Sequence, residues 1–170
     1  MILLDVRHVT MKFGELFANR EVSFSVDAGS IVGLIGPNGA GKTTLFNCIS
    51  GLCKPTEGSI HFGDENITGH KPYQIAAKGA VRTFQVVRPL KEMTVFDNVL
   101  VGAFLKNKNN RRAFDKAQEC VRLCGRESVE GKLAGELSIG GKKRLEMARA
   151  LATSPRLLML DEVMAGLTST

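Results

Sequence analysis

Nine consecutive residues near the start of the chain have the types and the spacing that bind a polyphosphate. The segment reads GPNGAGKTT and matches the pattern G-x-x-x-x-G-K-[S/T] in full. Glycines let backbone N–H groups turn toward phosphate oxygens, the lysine supplies charge for β- and γ-phosphates, and the next hydroxyl can hold Mg²⁺. We therefore predict a site for ATP and Mg²⁺ formed by Gly36, Pro37, Asn38, Gly39, Ala40, Gly41, Lys42, Thr43 and Thr44.

The elements around this loop argue against the alternative, a glycine turn with only a structural role. Residues 30–35 are mostly apolar and predict a short strand buried on both faces. Residues 42–50 predict a helix that closes at Gly51, with Pro55 beyond it. A strand, a loop and a helix in this order aim the positive end of the helix at a bound anion.

An acidic pair near the end of the chain is the second candidate site. Residues 157–160 read LLML and predict a buried strand, and Asp161 and Glu162 follow it directly. In proteins with such a phosphate loop, the aspartate after this strand holds Mg²⁺ through water. Glu162 could polarise an attacking water as a general base. Acidic residues often follow strands, so the pair has meaning chiefly because the phosphate loop is also present.

The rest of the pattern predicts an α/β fold. Further strands are expected at residues 2–13, 21–26, 58–62 and 80–85. Further helices are expected at residues 73–78, 94–125 and 144–153, with a glycine-rich loop at residues 131–141.

Composition is that of an ordinary globular domain, with 44% hydrophobic and 24% charged residues among 170. No apolar stretch approaches the length of a membrane span, so we expect a cytoplasmic chain that would reach a membrane only through a partner. The net charge is +6, but the basic block at residues 106–112 lacks aromatics and is typical of a solvated loop. We expect no nucleic-acid partner.

Four cysteines raise the alternative of a zinc site. Cys48 and Cys53 flank the end of a predicted helix, and Cys120 and Cys124 lie one helical turn apart. The chain has no CxxC pair, which closed zinc sites usually contain, so structural thiols are the favoured interpretation.

The segment LSIGG at residues 137–141 distinguishes among the proteins that share such a loop. It resembles the LSGGQ signature of ATP-binding cassette (ABC) transporter ATPases and precedes the strand that leads to Asp161, as in that family. Phe84-Gln85 resembles the family's Q-loop, and Phe13 stands where the family has an aromatic that stacks on adenine. A phenylalanine in such a strand also commonly packs inward, so a core role for Phe13 remains open.

The resemblance covers residues 1–170 and is closest to subunits of branched-chain amino acid importers. The segments that carry it read RTFQ at residues 82–85, MTV at residues 93–95 and AGL at residues 165–167, together with Asn98 and Val99. It implies a P-loop NTPase fold of the ABC ATPase type, with an N-terminal antiparallel β part and a helical subdomain at about residues 87–140.

The family's mechanism gives further expectations. Two cassettes, identical or different, would pair head to tail with two ATPs at their interface. Ser138 and Gly140 of one chain would then contact the γ-phosphate bound by the other. Gln85 would join Thr43 and Asp161 at the metal, and the helical subdomain would dock on membrane permease subunits at the inner face of the membrane. The implied function is the ATPase subunit of an importer for branched-chain amino acids.

The chain departs from the family pattern at three positions. Gly141 replaces the signature glutamine, Val163 replaces a proline after the acidic pair, and Thr168 replaces an acidic or amide residue. The chain also ends before the strand and histidine that family members carry next, so we expect a cassette truncated at its C-terminus and weak or absent ATP hydrolysis. Two alternatives remain: a fragment that binds nucleotide without turnover, and a non-transport cassette protein.

Overall fold

A long antiparallel hairpin organises the first part of the chain. The computed structural model describes residues 1–83 and 88–161, and the chain divides into two units, Met1–Ala80 and Val81–Thr170. In the first unit, β1 (Ile2–Phe13) pairs with β2 (Leu16–Asp27) on one side and with β3 (Glu57–Phe62) on the other. A short strand, β4 (Glu65–Asn66), completes the sheet in the order β2-β1-β3-β4. The predicted antiparallel β part is confirmed.

Burial along β1 does not follow simple alternation. Leu4, Val6 and Val9 are all buried, although residue 9 differs in parity from the other two. The pairing register of β1 with β2 shifts between Val6 and Val9, and His8 lies in the shifted stretch with φ of +48°. A bulge of this kind adds a residue to one strand and returns the following side chains to the buried face.

Two helices accompany this sheet. The first, α1 (Lys42–Ile49), buries Leu45, Cys48 and Ile49, the i, i+3, i+4 spacing of one helix face. The second, α2 (Pro72–Lys78), begins with proline at its first position and is followed by Gly79 with φ of +104°. Both helices lie where the sequence predicts them.

The buried strand predicted at residues 30–35 is wrong for this structure. The segment has no strand conformation, and Ile35 is 95% exposed. A strand buried on both faces needs strand neighbours on each side and a packed layer on each face. Within residues 1–83 and 88–161, the sheets are β2-β1-β3-β4 and the pair described below, and neither includes this segment. The segment is hydrophobic, but its residues 31–35 are exposed in this structure.

Three helices with a shared core form most of the second unit. They are α3 (Val95–Ala103), α4 (Asn110–Leu123) and α5 (Ile139–Ala152). Small residues allow close packing: a Cβ added to Gly102 of α3 would lie 2.4 Å from the Arg149 carbonyl oxygen of α5. The core residues are Val95, Val99, Ala103, Ala113, Ala117, Cys120, Val121, Ala134, Leu145, Ala148 and Ala152.

Two predicted segments of this unit differ in detail. The helix predicted at residues 94–125 is two helices, because Asn109 caps a new one by accepting a hydrogen bond from the Arg112 N–H. The loop predicted at residues 131–141 ends early, because α5 already begins at Ile139. In the described part of the chain, no helix is long and apolar enough to span a membrane.

A two-stranded sheet of β5 (Ala80–Arg82) and β6 (Leu157–Met159) completes the described fold. Immediately after β5, the Thr83 N–H donates to the Met159 carbonyl oxygen at 3.0 Å. Strand β6 is one residue shorter than predicted, and Leu160 after it is 46% exposed. Residues 84 and 85, the last two residues of the strand predicted at residues 80–85, lie outside the described residues.

Candidate functional site

The phosphate-binding loop leads directly into α1, with its lysine folded back over it. Lys42 is the first residue of the helix, and its Nζ lies 2.7 Å from the Gly36 carbonyl oxygen and 2.8 Å from that of Pro37. These two hydrogen bonds hold the ammonium group at the start of the loop. An anionic phosphate oxygen would be a stronger acceptor than either neutral carbonyl, so the same ammonium group is available to a nucleotide.

The loop is open to solvent along most of its length. Gly36 and Lys42 are partly exposed, and residues 37–40 and Thr43 are exposed. The first N–H groups of α1 have no carbonyl partners within the helix, so the loop ends at a partial positive charge. An anion in solution can therefore reach most of the residues that the sequence predicts to bind phosphate.

The strand β2 supports this loop at Gly41. This glycine has φ of +81°, and a Cβ there would lie 2.1 Å from the Ala18 carbonyl oxygen. Asn19, which is 7% exposed, donates from Nδ2 to the Gly41 carbonyl oxygen at 3.2 Å. Only glycine fits this approach, and Asn19 fixes the backbone at the start of α1. Sequence reasoning missed Asn19, since its only signal was a polar residue in a strand.

Phe13 lies at the tip of the β1–β2 hairpin. It is 51% exposed and pairs with Leu16 across the turn, so it does not have the core role that the sequence left open. A second exposed aromatic, Phe17, follows on β2 with Lys12 Nζ at 5.2 Å and the Arg20 guanidinium carbon at 5.3 Å from its ring centroid. The stacking of Phe13 on adenine stays a prediction.

In the second unit, Asp161 is buried and ion-paired. It comes two residues after the end of β6, and its Oδ2 lies 2.6 Å from Nη2 of Arg82, the last residue of β5. The side chains are 8% and 4% exposed, respectively. Sequence reasoning missed Arg82 as a partner of Asp161, because 79 positions separate them. The predicted site residues Gln85 and Glu162 lie outside the described residues.

The signature-like segment forms the beginning of α5. Ser138 is the N-cap, and its Oγ accepts a hydrogen bond from the Gly141 N–H at 3.2 Å. The hydroxyl is exposed and keeps its own proton, so it can still donate to an anion. Gly140 lies in the first turn of the helix, where backbone N–H groups have no helical partner. Sequence reasoning did not identify Ser138 as a cap and predicted that this helix begins only at residue 144.

Gly141, which stands where the family signature has glutamine, lies close to other side chains. Gly141 is buried, and a Cβ there would lie 3.3 Å from Ser138 Oγ and 3.6 Å from Arg126 Nη1. The Arg126 guanidinium therefore lies beside the residue that lacks a side chain. Sequence reasoning also missed Arg126, because it lies just after α4, at the far end of the segment that connects α4 to α5.

The oxygen donors of the predicted metal residues suit Mg²⁺. Thr43 offers a hydroxyl and Asp161 a carboxylate, and Mg²⁺ prefers one or two such ligands together with phosphates and water. Within residues 1–83 and 88–161, no group of three or more His, Cys, Asp or Glu side chains is placed to hold a metal. The described residues therefore do not form a metal site made of such protein side chains alone.

Cys48 and Cys120 are buried thiols, and Cys53 and Cys124 are partly buried. Burial, and then the neighbouring Cys53, raises the pKa of the Cys48 thiol to about 11. Burial is also the largest cause of the raised pKa values of Cys120 and Cys124. Zinc binds the thiolate form, which a raised pKa disfavours at neutral pH.

The fold and the loop together define an ATP-binding cassette. The family model described as ABC transporter matches residues 19–165, and the chain belongs to the ABC transporter family as an ATPase cassette. It is 44% identical to the high-affinity branched-chain amino acid transport ATP-binding protein LivG of Escherichia coli K12, over 97% of this chain and 71% of LivG. It is 42% identical to BraF of Pseudomonas aeruginosa over the same shares of both chains.

Solved structures agree with this assignment. A nucleotide-free ATP-binding cassette from an ABC transporter superposes with a TM-score of 0.85 at 35% identity, over 99% of this chain and 72% of that one. A dimeric bacterial ABC transporter cassette gives a TM-score of 0.86 at 25% identity, over 98% of this chain and 76% of that one. The expected ABC ATPase fold and the closeness to branched-chain amino acid subunits are confirmed.

Proposed function

We propose that this chain is the cassette of an ATP-binding and ATP-hydrolysing subunit that energises an importer of branched-chain amino acids, with weak or absent hydrolysis by residues 1–170 on their own. The observation that carries the proposal is its 44% identity to LivG across 97% of the chain. That match includes a phosphate loop in which Lys42 lies over the Gly36 and Pro37 carbonyl oxygens. The chain spans 71% of the length of LivG.

In the proposed nucleotide site, each part of ATP has its own residues. The backbone N–H groups of residues 36–44 surround the phosphates, and Lys42 neutralises the β- and γ-phosphates. Phe13 stacks on adenine from the exposed end of the hairpin. Thr43, Gln85 and Asp161 would hold Mg²⁺, which would supply positive charge to offset that of the phosphates. Glu162 orients the attacking water and accepts its proton.

The proposed assembly is a head-to-tail pair of cassettes, identical or different. Ser138 and Gly140 at the start of α5 reach the γ-phosphate held by the partner cassette, where the positive helix end and the serine hydroxyl favour an anion. A relative of similar fold is described as dimeric. The helical subdomain, at about residues 87–140 of a cassette domain covering residues 1–170, docks on permease subunits at the inner face of the membrane.

Amino acid uptake by a chimera tests this function. We expect an E. coli LivG whose matching segment is replaced by residues 1–170 of this chain to restore uptake of leucine, isoleucine and valine in a strain without LivG. The physical reason is that the swapped segment supplies equivalent phosphate contacts and an equivalent docking surface. Uptake of radiolabelled leucine is the measurement.

The control is the same chimera with Lys42→Ala, which should be produced at the same level but support little uptake. A chimera that folds and binds ATP, yet supports no branched-chain uptake, would contradict the proposed transport role. The assignment of the nucleotide site would still stand after that result, because the chimera would still bind ATP.

A further inference from the structure

A buried ion pair joins the ends of the two short strands in the second unit. Arg82 Nη2 and Asp161 Oδ2 are 2.6 Å apart, and both side chains are more than nine-tenths buried. The backbone links the same strands through the Thr83 N–H and the Met159 carbonyl oxygen. One partner of the ion pair lies at the end of β5 and the other lies just after β6. The hydrogen bond between the two strands therefore helps to fix the distance between Arg82 and Asp161.

Stability alone is a weak explanation for this pair. Removing two charges from water costs about as much as their attraction returns, and apolar pairs of similar volume often stabilise a fold equally well. What an arginine adds is a guanidinium whose planar N–H groups fix the orientation of the carboxylate. A fixed orientation matters where the carboxylate must also bind a second partner.

We propose that Arg82 is a positioning residue for the Mg²⁺ that accompanies ATP, acting through Asp161. By holding Oδ2, Arg82 fixes the orientation of the carboxylate, whose other oxygen would then accept a hydrogen bond from a water bound to the metal. The guanidinium charge also opposes direct contact between the carboxylate and a divalent cation, which favours a contact through water. This inference rests on the proposed function, which assigns Mg²⁺ to Asp161.

The test separates the metal from the nucleotide. The dissociation constant of a fluorescent ATP analogue is measured once with Mg²⁺ and once with EDTA, and their ratio gives the affinity that Mg²⁺ adds. We expect Arg82→Met to reduce this ratio by about fivefold or more, as for residues coupled in one network, and to leave the EDTA value within about twofold. Arg82→Lys, which keeps the charge without the planar N–H groups, should give an intermediate ratio.

A double-mutant cycle shows whether Arg82 acts through Asp161. Asp161→Asn alone should reduce the ratio, and adding Arg82→Met to it should reduce the ratio no further. Asn98→Ala is the matched control for a buried polar loss in the same unit. Asn98 is fully buried, and its Nδ2 donates to the carbonyl oxygens of Leu90, Met93 and Thr94. Thermal unfolding of every variant defines the temperature at which all remain folded.

The outcomes are distinguishable. A wild-type ratio in Arg82→Met, or an equal loss with Mg²⁺ and with EDTA as in a merely destabilised Asn98→Ala, would overturn the positioning role. If Arg82→Met does not fold, Arg82→Lys decides by the same ratio. A wild-type chain that binds the analogue equally with Mg²⁺ and with EDTA would overturn the proposed Mg²⁺ site itself and this inference with it.

Discussion

Lys42→Ala weakens ATP binding by about 10–100-fold, the equivalent of the roughly 1.5–3 kcal/mol that a hydrogen bond to a charged group contributes. The side chain loses its contacts with the Gly36 and Pro37 carbonyl oxygens, and the β- and γ-phosphates lose the lysine of their loop. Folding should change little, because the lysine is only partly buried. Titration with a fluorescent ATP analogue measures the effect.

The control for Lys42→Ala is Lys108→Ala. Lys108 is exposed in the segment between α3 and α4, so its loss changes the net charge by the same amount without touching the loop. The Lys108→Ala variant should bind the analogue as the unaltered chain does. Equal affinities of all three proteins would remove Lys42, and with it the loop, from the nucleotide site.

Gly41→Ala destabilises the fold by about 2–5 kcal/mol, the largest loss of stability that we expect at the site. A left-handed backbone costs a residue with a Cβ about 1–2 kcal/mol. The new Cβ would also lie 2.1 Å from the Ala18 carbonyl oxygen and 2.6 Å from Asn19 Nδ2, and overpacking adds about 1–3 kcal/mol. Urea unfolding measures the stability, and the ATP titration should show weaker binding because the loop must move.

Gly39→Ala is a close control for this variant. Gly39 has nearly the same φ, +84°, but no atom lies within 4 Å of the position that its Cβ would take. It should therefore lose only the conformational part, about 1–2 kcal/mol. If the two alanine variants have equal stability, the contact between β2 and the loop does not restrict residue 41.

Local sequence patterns predicted the parts of the site that are contiguous in the chain. The phosphate loop and the first helix after it need only neighbouring residues, so GPNGAGKTT followed by an apolar face at Leu45, Cys48 and Ile49 was sufficient. The first strand of the hairpin was predicted over its full length, whereas only residues 21–26 of β2 (Leu16–Asp27) were predicted as a strand. The register shift after Val6 was not predicted, because a bulge depends on how two strands pair.

Features that depend on distant residues escaped the sequence. Burial of residues 30–35 requires strand neighbours, which hydrophobicity cannot guarantee. The contacts of Asn19 with Gly41 and of Arg82 with Asp161 join segments that are far apart in the chain. The start of α5 was missed for another reason: Gly140 and Gly141 suggest a loop, but the Ser138 cap outweighs their low helix propensity.

Calorimetric titration of the unaltered chain with ATP and with adenosine tests the central claim most directly. If the chain is an ATP-binding cassette, ATP binds saturably at one site per chain, and adenosine binds at least about 100-fold more weakly. The difference arises because the phosphates carry the charge that Lys42 and the start of α1 recognise. Equal binding of both ligands, or no saturable binding of ATP at millimolar concentration, would contradict this account.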